Sequence, residues 1–354
     1  MKKPIPLFLL VLLDILQGVL VFALFFFFLQ LLPQTRLAQQ LNRENQAVPA
    51  VSAVPAENTA APAATPGGSS ETAAEDAAEA ETSPAENETQ TERFHEQFRA
   101  AVQRTDDSYR GPGTAVTVTK HENTEKNFVY FVADIYIKDP ADFVACFSPD
   151  FATALPEKIA KENSAIIAMN GDFFLNIHDG FAVRNGTVYQ REEGTLDICV
   201  LYADGRMQTF EAGSYDVEEI LREGPRQVWQ FGPALLDESG QARENFHVSR
   251  NIFTENPRSA LGYFEPGHYC FVVVDGRQPY YSAGADMDAL AAIFEEMGCV
   301  CAYNLDGGAS TYLIFDGEVV NHPAGGLGGV RRQVSDMLGI RIPENTETAE
   351  ESLS

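Results

Sequence analysis

Basic side chains are scarce in this chain: 25 Lys and Arg stand against 51 Asp and Glu over 354 residues, a formal net charge of −26. A nucleic-acid partner needs a basic surface, so that class of function is excluded. Any smaller anionic ligand must be received by a local group of arginines or lysines. Several hydrolase signatures are missing as well. There is no Gly-x-Ser-x-Gly elbow, no Walker loop and no His-Glu-x-x-His zinc helix. Cysteines are few and odd in number: Cys146, Cys199, Cys270, Cys299 and Cys301. Their scatter makes no disulfide framework and no tetrahedral zinc set. They read as small buried hydrophobes in apolar runs, with Cys299 and Cys301 on one face of one strand. A single disulfide stays open for a chain outside the cytoplasm, without a pair that the sequence names.

What is present divides the chain unevenly. From residue 5 to 32 the sequence is apolar with Asp14 as its one charge, and Lys2 and Lys3 precede it. That run exceeds the roughly 20 residues needed to span a hydrocarbon core. The basic pair is expected to stay cytoplasmic and to send the rest outward. A cleavable signal peptide is the rival reading, but its apolar region would be about 7–15 residues long. Leu37-Ala-Gln is also a poor cleavage site. Residues 1–32 are therefore read as an uncleaved transmembrane anchor. Residues 33–90 follow as an acidic linker rich in Ala, Pro, Glu and Thr, and every charge between Glu57 and Glu92 is negative. With so little apolar surface to bury, it is expected to be disordered and extended by its own repulsion. Residues 91–343 form the foldable part, taken as one domain, and 344–354 an acidic tail.

Within that domain a short amphipathic helix is expected over 91–104, strands over 115–120 and 127–137, a helix over 150–163 and a buried strand over 165–169. Asn185-Gly186 and Asp204-Gly205 mark two hairpins, joining 181–183 to 187–190 and 196–203 to 207–210. Further on come a short helix at 215–222, a β-branched strand at 269–274, an amphipathic helix at 286–297, and strands at 299–303 and 311–315. Hairpins with a few helices define an α+β fold, mixed and largely antiparallel sheets with helices packed on them.

The run Asn304-Leu-Asp-Gly-Gly-Ala-Ser-Thr311 places a carboxylate, two glycines and two hydroxyls at a strand end. Gly307 and Gly308 let the backbone turn sharply and a ligand approach it. Asp306 is thereby presented at a mouth beside Ser310 and Thr311, a set that can bind sugar hydroxyls or phosphate oxygens. Asp172 follows Asn170 and Gly171 after the 165–169 strand, and Asp275 follows the 269–274 strand. Each has a structural reading, an Asp-Gly hairpin turn for Asp306 and Asp275 and a capping carboxylate for Asp172. Asn170, Asp172 and Asp306 offer hard oxygens of the kind that suits Ca²⁺ or Mg²⁺. No metal-loop spacing accompanies them, so no cofactor is assigned. His178 and Asp179 sit in a loop where a histidine can exchange protons near neutral pH. His322, before the glycine-rich run 325–329, belongs either to a mobile loop over the site or to a plain connection.

Five segments then fall in one order and spacing: Asn170-Gly-Asp-Phe-Phe174, Asn256-Pro-Arg-Ser-Ala-Leu-Gly262, Val274-Asp-Gly-Arg277, Asn304 to Thr311, and Arg332-Gln-Val-Ser335. Together they resemble the phosphodiester glycosidase family over about residues 115–342. The family's arginine motif usually continues with proline, where Gln333 stands here. The resemblance implies catalytic roles for Asp306, Asp172 and Asp275. It implies substrate contacts from Asn170, Gly171, Arg258, Arg277, Gly307, Gly308, Ser310, Thr311, Arg332 and Ser335.

The residue types suit that chemistry. Glycosidic cleavage uses an acid and a second carboxylate. A phosphate is already a good leaving group, so positive charge near it carries more of the stabilisation, and arginine forks match its oxygens. The expected function is a membrane-anchored, extracytoplasmic glycosidase that hydrolyses a sugar-1-phosphodiester, of the N-acetylglucosamine-phosphate type, in cell-surface or exopolysaccharide glycans. A rival from another class is a non-catalytic glycan-binding or assembly protein of exopolysaccharide biosynthesis. A third is a phosphodiesterase that leaves phosphate on the sugar.

Overall fold

A computed structural model describes residues 94–148, 151–177, 180–325 and 330–342. The apolar run at 1–32, the linker at 33–90, the acidic tail, His178, Asp179, and most of the glycine-rich run near His322 lie outside the described residues. Among the described residues no helix is long and apolar enough to cross a membrane.

Three sheets make the domain, and every strand pairing within them is antiparallel. The largest has seven strands, in the order Gln103–Arg104, Ser108–Arg110, Thr114–Asn123, Phe128–Ile137, His268–Val274, Arg258–Glu265 and Cys301–Asn304. A five-stranded sheet runs Met207–Phe210, Ile198–Tyr202, Pro225–Gln230, Phe181–Arg184 and Thr187–Arg191. A second five-stranded sheet runs Glu318–Val319, Leu313–Phe315, Ala165–Asn170, Asp336–Arg341 and Phe143–Phe147. The expected hairpin turns are present: Asn185 and Gly186 take φ of 52° and 80°, the two left-handed positions that a type I′ turn requires.

Strand accounts for 41% of the described residues and helix for 16%, so the antiparallel sheets expected of the α+β fold are present, and the fold is mostly β-sheet with few helices. The reason lies in helix length. Pro156 sets the start of one helix, Pro156–Glu162, and holds Leu155 extended, so the expected 150–163 helix shrinks. Arg250–Phe253 is a single turn. From Phe94 to Arg104 there is a turn and a short strand rather than a helix, because Phe94 packs edge-on against Tyr136 at 5.2 Å. Among the described residues only Met287–Met297 runs three turns, capped by the Asp286 side chain accepting from Ala289 N and closed by Gly298 at φ 77°.

The main core lies where the three sheets meet and includes Phe143, Met169, Trp229, Phe271, Tyr303 and Leu338. A second cluster fills the space between the large sheet and the Met287–Met297 helix, with Val272, Leu290 and Phe294 fully buried. Truncating Phe294 to alanine there should cost about 3–5 kcal/mol. Cys299 belongs to this helix-side cluster and Cys301 to the main core. The two therefore do not share a face, since Cys299 precedes the strand and sits in the turn after Gly298.

Candidate active site

Antiparallel pairing opens the site. Asn170 at the end of Ala165–Asn170 lies opposite Met337 near the start of Asp336–Arg341. The two strand ends thus meet at one sheet edge and set Gly171-Asp172 beside Asp336. Gly171 N donates to Asp336 O at 3.1 Å. A Cβ on Gly171 would stand 1.9 Å from Asp336 Oδ2, so only glycine lets that carboxylate lie where it does. Asp306 arrives from the edge of the large sheet, and its N–H donates to Gly171 O at 3.3 Å. Asn170 pins the assembly. Its Nδ2 donates to Asp306 O at 2.6 Å, and its Oδ1 accepts from Ser259 Oγ at 2.6 Å and from Tyr312 N at 3.2 Å. Asn170 is spent on positioning, not free for a ligand.

The other five-stranded sheet supplies Arg184, whose side chain is fully buried. Its Nη2 donates to Asp172 Oδ1 at 2.6 Å, and Gln230 N donates to Asp172 Oδ2 at 2.8 Å. Nη1 of Arg184 is held by the Val183 and Val228 carbonyls, and the guanidinium lies 4.5 Å from the centre of the Phe174 ring. Burial, and then the Asp172 carboxylate, push the Asp336 pKa up to about 7, against the pull of Arg184 and the Ser335 hydroxyl. Asp306 is also raised, first by burial, while the Ser310 hydroxyl, the Arg332 charge and the Gly307 N–H oppose the shift. Three carboxylates thus crowd together, and the buried Arg184 guanidinium bonds one, Asp172, and acts through its charge on a second, Asp336. Such groups do not all ionise together near neutral pH, and a site of this kind can both give and take a proton.

Two exposed arginines border the Asp306 turn. Arg332 acts on Asp306 through its charge, and its guanidinium carbon lies 5.7 Å from the centre of the Phe173 ring. Its backbone N donates to the Tyr312 hydroxyl at 3.1 Å, and the neighbouring Gln333 accepts from Thr153 at 3.1 Å. Arg277 lies against Gly308, where a Cβ would meet Nη2 at 2.9 Å, and it donates to Asn256 Oδ1 at 3.0 Å. Gly308 itself takes φ 64°. Neither arginine forms an ion pair among the described residues. Gly307 is needed by the close Pro257 carbonyl, 2.5 Å from a notional Cβ. Ser335 Oγ donates to Asp336 Oδ1 at 3.1 Å, and Thr311 Oγ1 is buried without a hydrogen-bond partner among the described residues.

Two expected residues lie apart from this cluster. Asp275 accepts from Tyr281 Oη at 3.0 Å, Asn321 Nδ2 at 2.9 Å and His322 N at 3.0 Å. Its carboxylate ties the loop at 321–322 to the large sheet, and the His322 ring is taken up by stacking on Tyr281 at 5.1 Å. Arg258 is 5% exposed and donates to the carbonyls of Ala285, Ile252, Phe253 and Thr254. Those bonds close the end of the Arg250–Phe253 turn and occupy Nε and Nη2 of the Arg258 guanidinium. Conversely, sequence reasoning passed over Asp336 and Arg184. Asp336 opens a strand whose next four residues, Met337, Leu338, Gly339 and Ile340, carry no polar side chain, a signal in itself, whereas Arg184 stands beside a hairpin turn and reads as an ordinary surface arginine. No set of three His, Cys, Asp or Glu side chains among the described residues is arranged to hold a metal. A cavity of about 670 Å³ lined by Glu211, Asp237, Arg243 and Glu244 shares no residue with the cluster, and its charge is wrong for an anion.

The profile of a family described as phosphodiester glycosidase matches residues 163–341. An uncharacterized protein derived from the SPbeta prophage of Bacillus subtilis (strain 168) is 24% identical over 241 residues, 65% of this chain. The chain spans 35% of the length of that curated relative. Among solved structures, the catalytic domain of zebrafish N-acetylglucosamine-1-phosphodiester alpha-N-acetylglucosaminidase, auto-inhibited by its pro-peptide, superposes with a TM-score of 0.54 at 18% identity. The match covers 69% of this chain and 87% of that one, and shows a shared fold. A hypothetical protein from Synechocystis gives a TM-score of 0.43 at 16% identity, over 64% of this chain and 62% of its own.

Proposed function

Because this chain belongs to the phosphodiester glycosidase family, we propose that it hydrolyses a sugar-1-phosphodiester, breaking the bond between the anomeric carbon and the phosphate oxygen. The supporting observation is the gathering of Asp172, Asp306 and Asp336, with the buried Arg184 guanidinium on Asp172 and near Asp336, bordered by two exposed arginines. In an acidic protein these arginines answer the need for a local anion site. The departing group is a phosphate monoester, whose last proton has a pKa of about 6. It therefore leaves with little help from an acid, and Arg332 and Arg277 stabilise the charge it carries away.

Asp306 is half-buried at the mouth, where it takes the proton from the water that attacks the anomeric carbon. Its raised pKa makes it a stronger base than an ordinary aspartate. Asp336, with its pKa near neutrality, is the reservoir for that proton, and Asp172 with Arg184 holds the charge balance fixed beneath them.

The finer reading is a sugar of the N-acetylglucosamine type, in a cell-surface or exopolysaccharide glycan, acted on by a membrane-anchored protein outside the cytoplasm. It is supported by the substrate in the zebrafish enzyme's name, by the apolar run at 5–32 and by Lys2 and Lys3 before it. The test is the full chain incubated with UDP-N-acetylglucosamine and with a polysaccharide phosphodiester, with products analysed by mass. Release of free sugar supports the proposal. Sugar-1-phosphate would assign a phosphodiesterase, and saturable binding without release a glycan-binding protein. Asp306→Asn should abolish release with the fold intact, and unchanged turnover would remove Asp306 from the mechanism.

A further inference from the structure

Arg277 is exposed and stands in the connection between the strand His268–Val274 and the helix Met287–Met297. A long side chain in such a place fixes a charge only if something holds it, and here one side chain does. Asn256 Oδ1 accepts from Arg277 Nη2 at 3.0 Å and from Nε at 3.3 Å, so a single amide oxygen takes one edge of the guanidinium. The far side of the same amide sets its orientation. Asn256 Nδ2 donates to the carbonyls of Asn251 and Thr254, both at 3.1 Å. Carbonyls need a donor, so Oδ1 is the atom left to face the arginine.

Asn256 is itself held fast. Its N–H donates to Ala285 O at 3.2 Å, and Ala285 N donates to Asn256 O at 3.1 Å. The next residue touches the Asp306 turn, where Gly308 N donates to Pro257 O at 3.0 Å. Nothing leaves this segment room to shift. A Cβ on Gly284 would stand 2.5 Å from the Asn256 carbonyl, and one on Gly276 2.6 Å from Pro257 N. Asn256-Pro257 thus joins the loop that carries Arg277 to the turn that carries Asp306. The guanidinium lies over Gly308, with Nη2 and Nη1 at 2.9 Å and 3.1 Å from the place of a Cβ there.

We infer that Asn256 is a positioning residue of the anion site: it holds Arg277 by the Nε–Nη2 edge and leaves the Nη1–Nη2 edge, beside the Asp306 turn, for the two non-bridging oxygens of a phosphodiester. A guanidinium carries its N–H donors in a rigid fork. With Nε and one Nη2 hydrogen spent on Asn256, the remaining pair that points one way has one hydrogen on each Nη, the spacing of two oxygens on one phosphorus. A neutral amide suits the task, because a carboxylate at position 256 would cancel the charge that the phosphate needs. Arg332 is the contrast, since its guanidinium rests near the Phe173 ring and makes no hydrogen bond among the described residues. The inference rests on the reading of Arg277 as a phosphate contact.

The experiment is a double-mutant cycle on the full chain in detergent, with inorganic phosphate as the probe and its Kd read by calorimetry. The four proteins are the unsubstituted chain, Asn256→Ala, Arg277→Ala and the double variant, each checked for its melting temperature. Asn256→Ala should weaken phosphate binding by about tenfold while Arg277 is present, and by less than about twofold once Arg277 is alanine. KM for UDP-N-acetylglucosamine should follow the same pattern. Should Asn256→Ala not fold, Asn256→Ser goes through the same cycle, because its hydroxyl still offers a donor to the turn but is too short to reach the guanidinium. Equal losses in both backgrounds would mean that Asn256 only holds the Arg250–Phe253 turn, and would overturn the inference. So would an Asn256→Ala chain that binds phosphate unchanged, or phosphate binding that Arg277→Ala does not weaken. A coupled cycle in a chain that releases no sugar sinks the hydrolase reading and leaves this one standing. Sugar release with an uncoupled cycle does the reverse.

Discussion

Asp275 and Asp336 are both buried aspartates at strand ends, and burial pushes both carboxyls upward, yet their surroundings differ in kind. Around Asp275 the neighbours are donors: a tyrosine hydroxyl, an asparagine amide and a backbone N–H, each of which favours the charged form. Around Asp336 the strongest neighbours are charges, with Asp172 and Asp306 raising it and Arg184 lowering it. A carboxylate with a full set of donors is a structural tie. One crowded by other carboxylates holds its proton loosely, which is what proton-transfer chemistry needs. The two arginines divide in the same way. Arg258 spends its donors on carbonyls, whereas the Arg332 side chain stays exposed and without an ion pair among the described residues.

The sharpest way to break this comparison is to neutralise one carboxylate of each kind. Asp306→Asn should lower kcat by about 10²–10⁴-fold with little change in melting temperature. Asp275→Asn should keep activity per folded molecule within a few-fold and lose roughly 1–3 kcal/mol of stability, because fixed donors lose their charged acceptor. The opposite pattern in steady-state kinetics and denaturant titration would exchange the roles of the two regions. Arg332→Ala should raise KM for the phosphodiester by about 10–100-fold, as expected for a lost charge-assisted contact. Arg258→Ala should instead lower the unfolding midpoint and leave KM of the surviving fold alone.

Gly171→Ala tests the packing on which the cluster rests. Its new methyl would displace the Asp336 carboxylate, with a cost of about 1–3 kcal/mol and a loss of turnover. An active, undiminished variant would show that Asp336 need not stand where it does.

The smallest effect is on pH dependence. Asp336 has a folded pKa of about 7 against an ordinary 3.8, so in that window the folded chain binds more protons than the unfolded one. The stability this contributes is present at low pH and is lost as pH rises through about 7. The melting temperature of the unsubstituted chain should therefore fall between about pH 5 and pH 8 more steeply than that of Asp336→Asn. Parallel curves would argue against charge crowding at Asp336.

Local chemistry was legible where a few adjacent residues decide the outcome. Alternating and β-branched runs marked the strands at 128–137, 165–170 and 268–274, and Asn185-Gly186 and Asp204-Gly205 marked the turns of two other hairpins. Asp172 and Asp306, both picked out beside glycines, lie in one cluster. The helices were harder to read, since Pro156 cut one short and Phe94 drew another segment into tertiary packing. The anchor and linker readings concern residues outside those described.

The sequence by itself determined the sheet-forming segments, the turn positions, the acidic balance and the strand ends that carry carboxylates, because each depends on side chains close together along the chain. Only the tertiary structure decided which aspartates share an electrostatic environment and which arginines remain exposed for an anion. Those outcomes depend on groups such as Arg184 and Asp336, which are far apart in sequence and act on each other only after three sheets have packed together and excluded water.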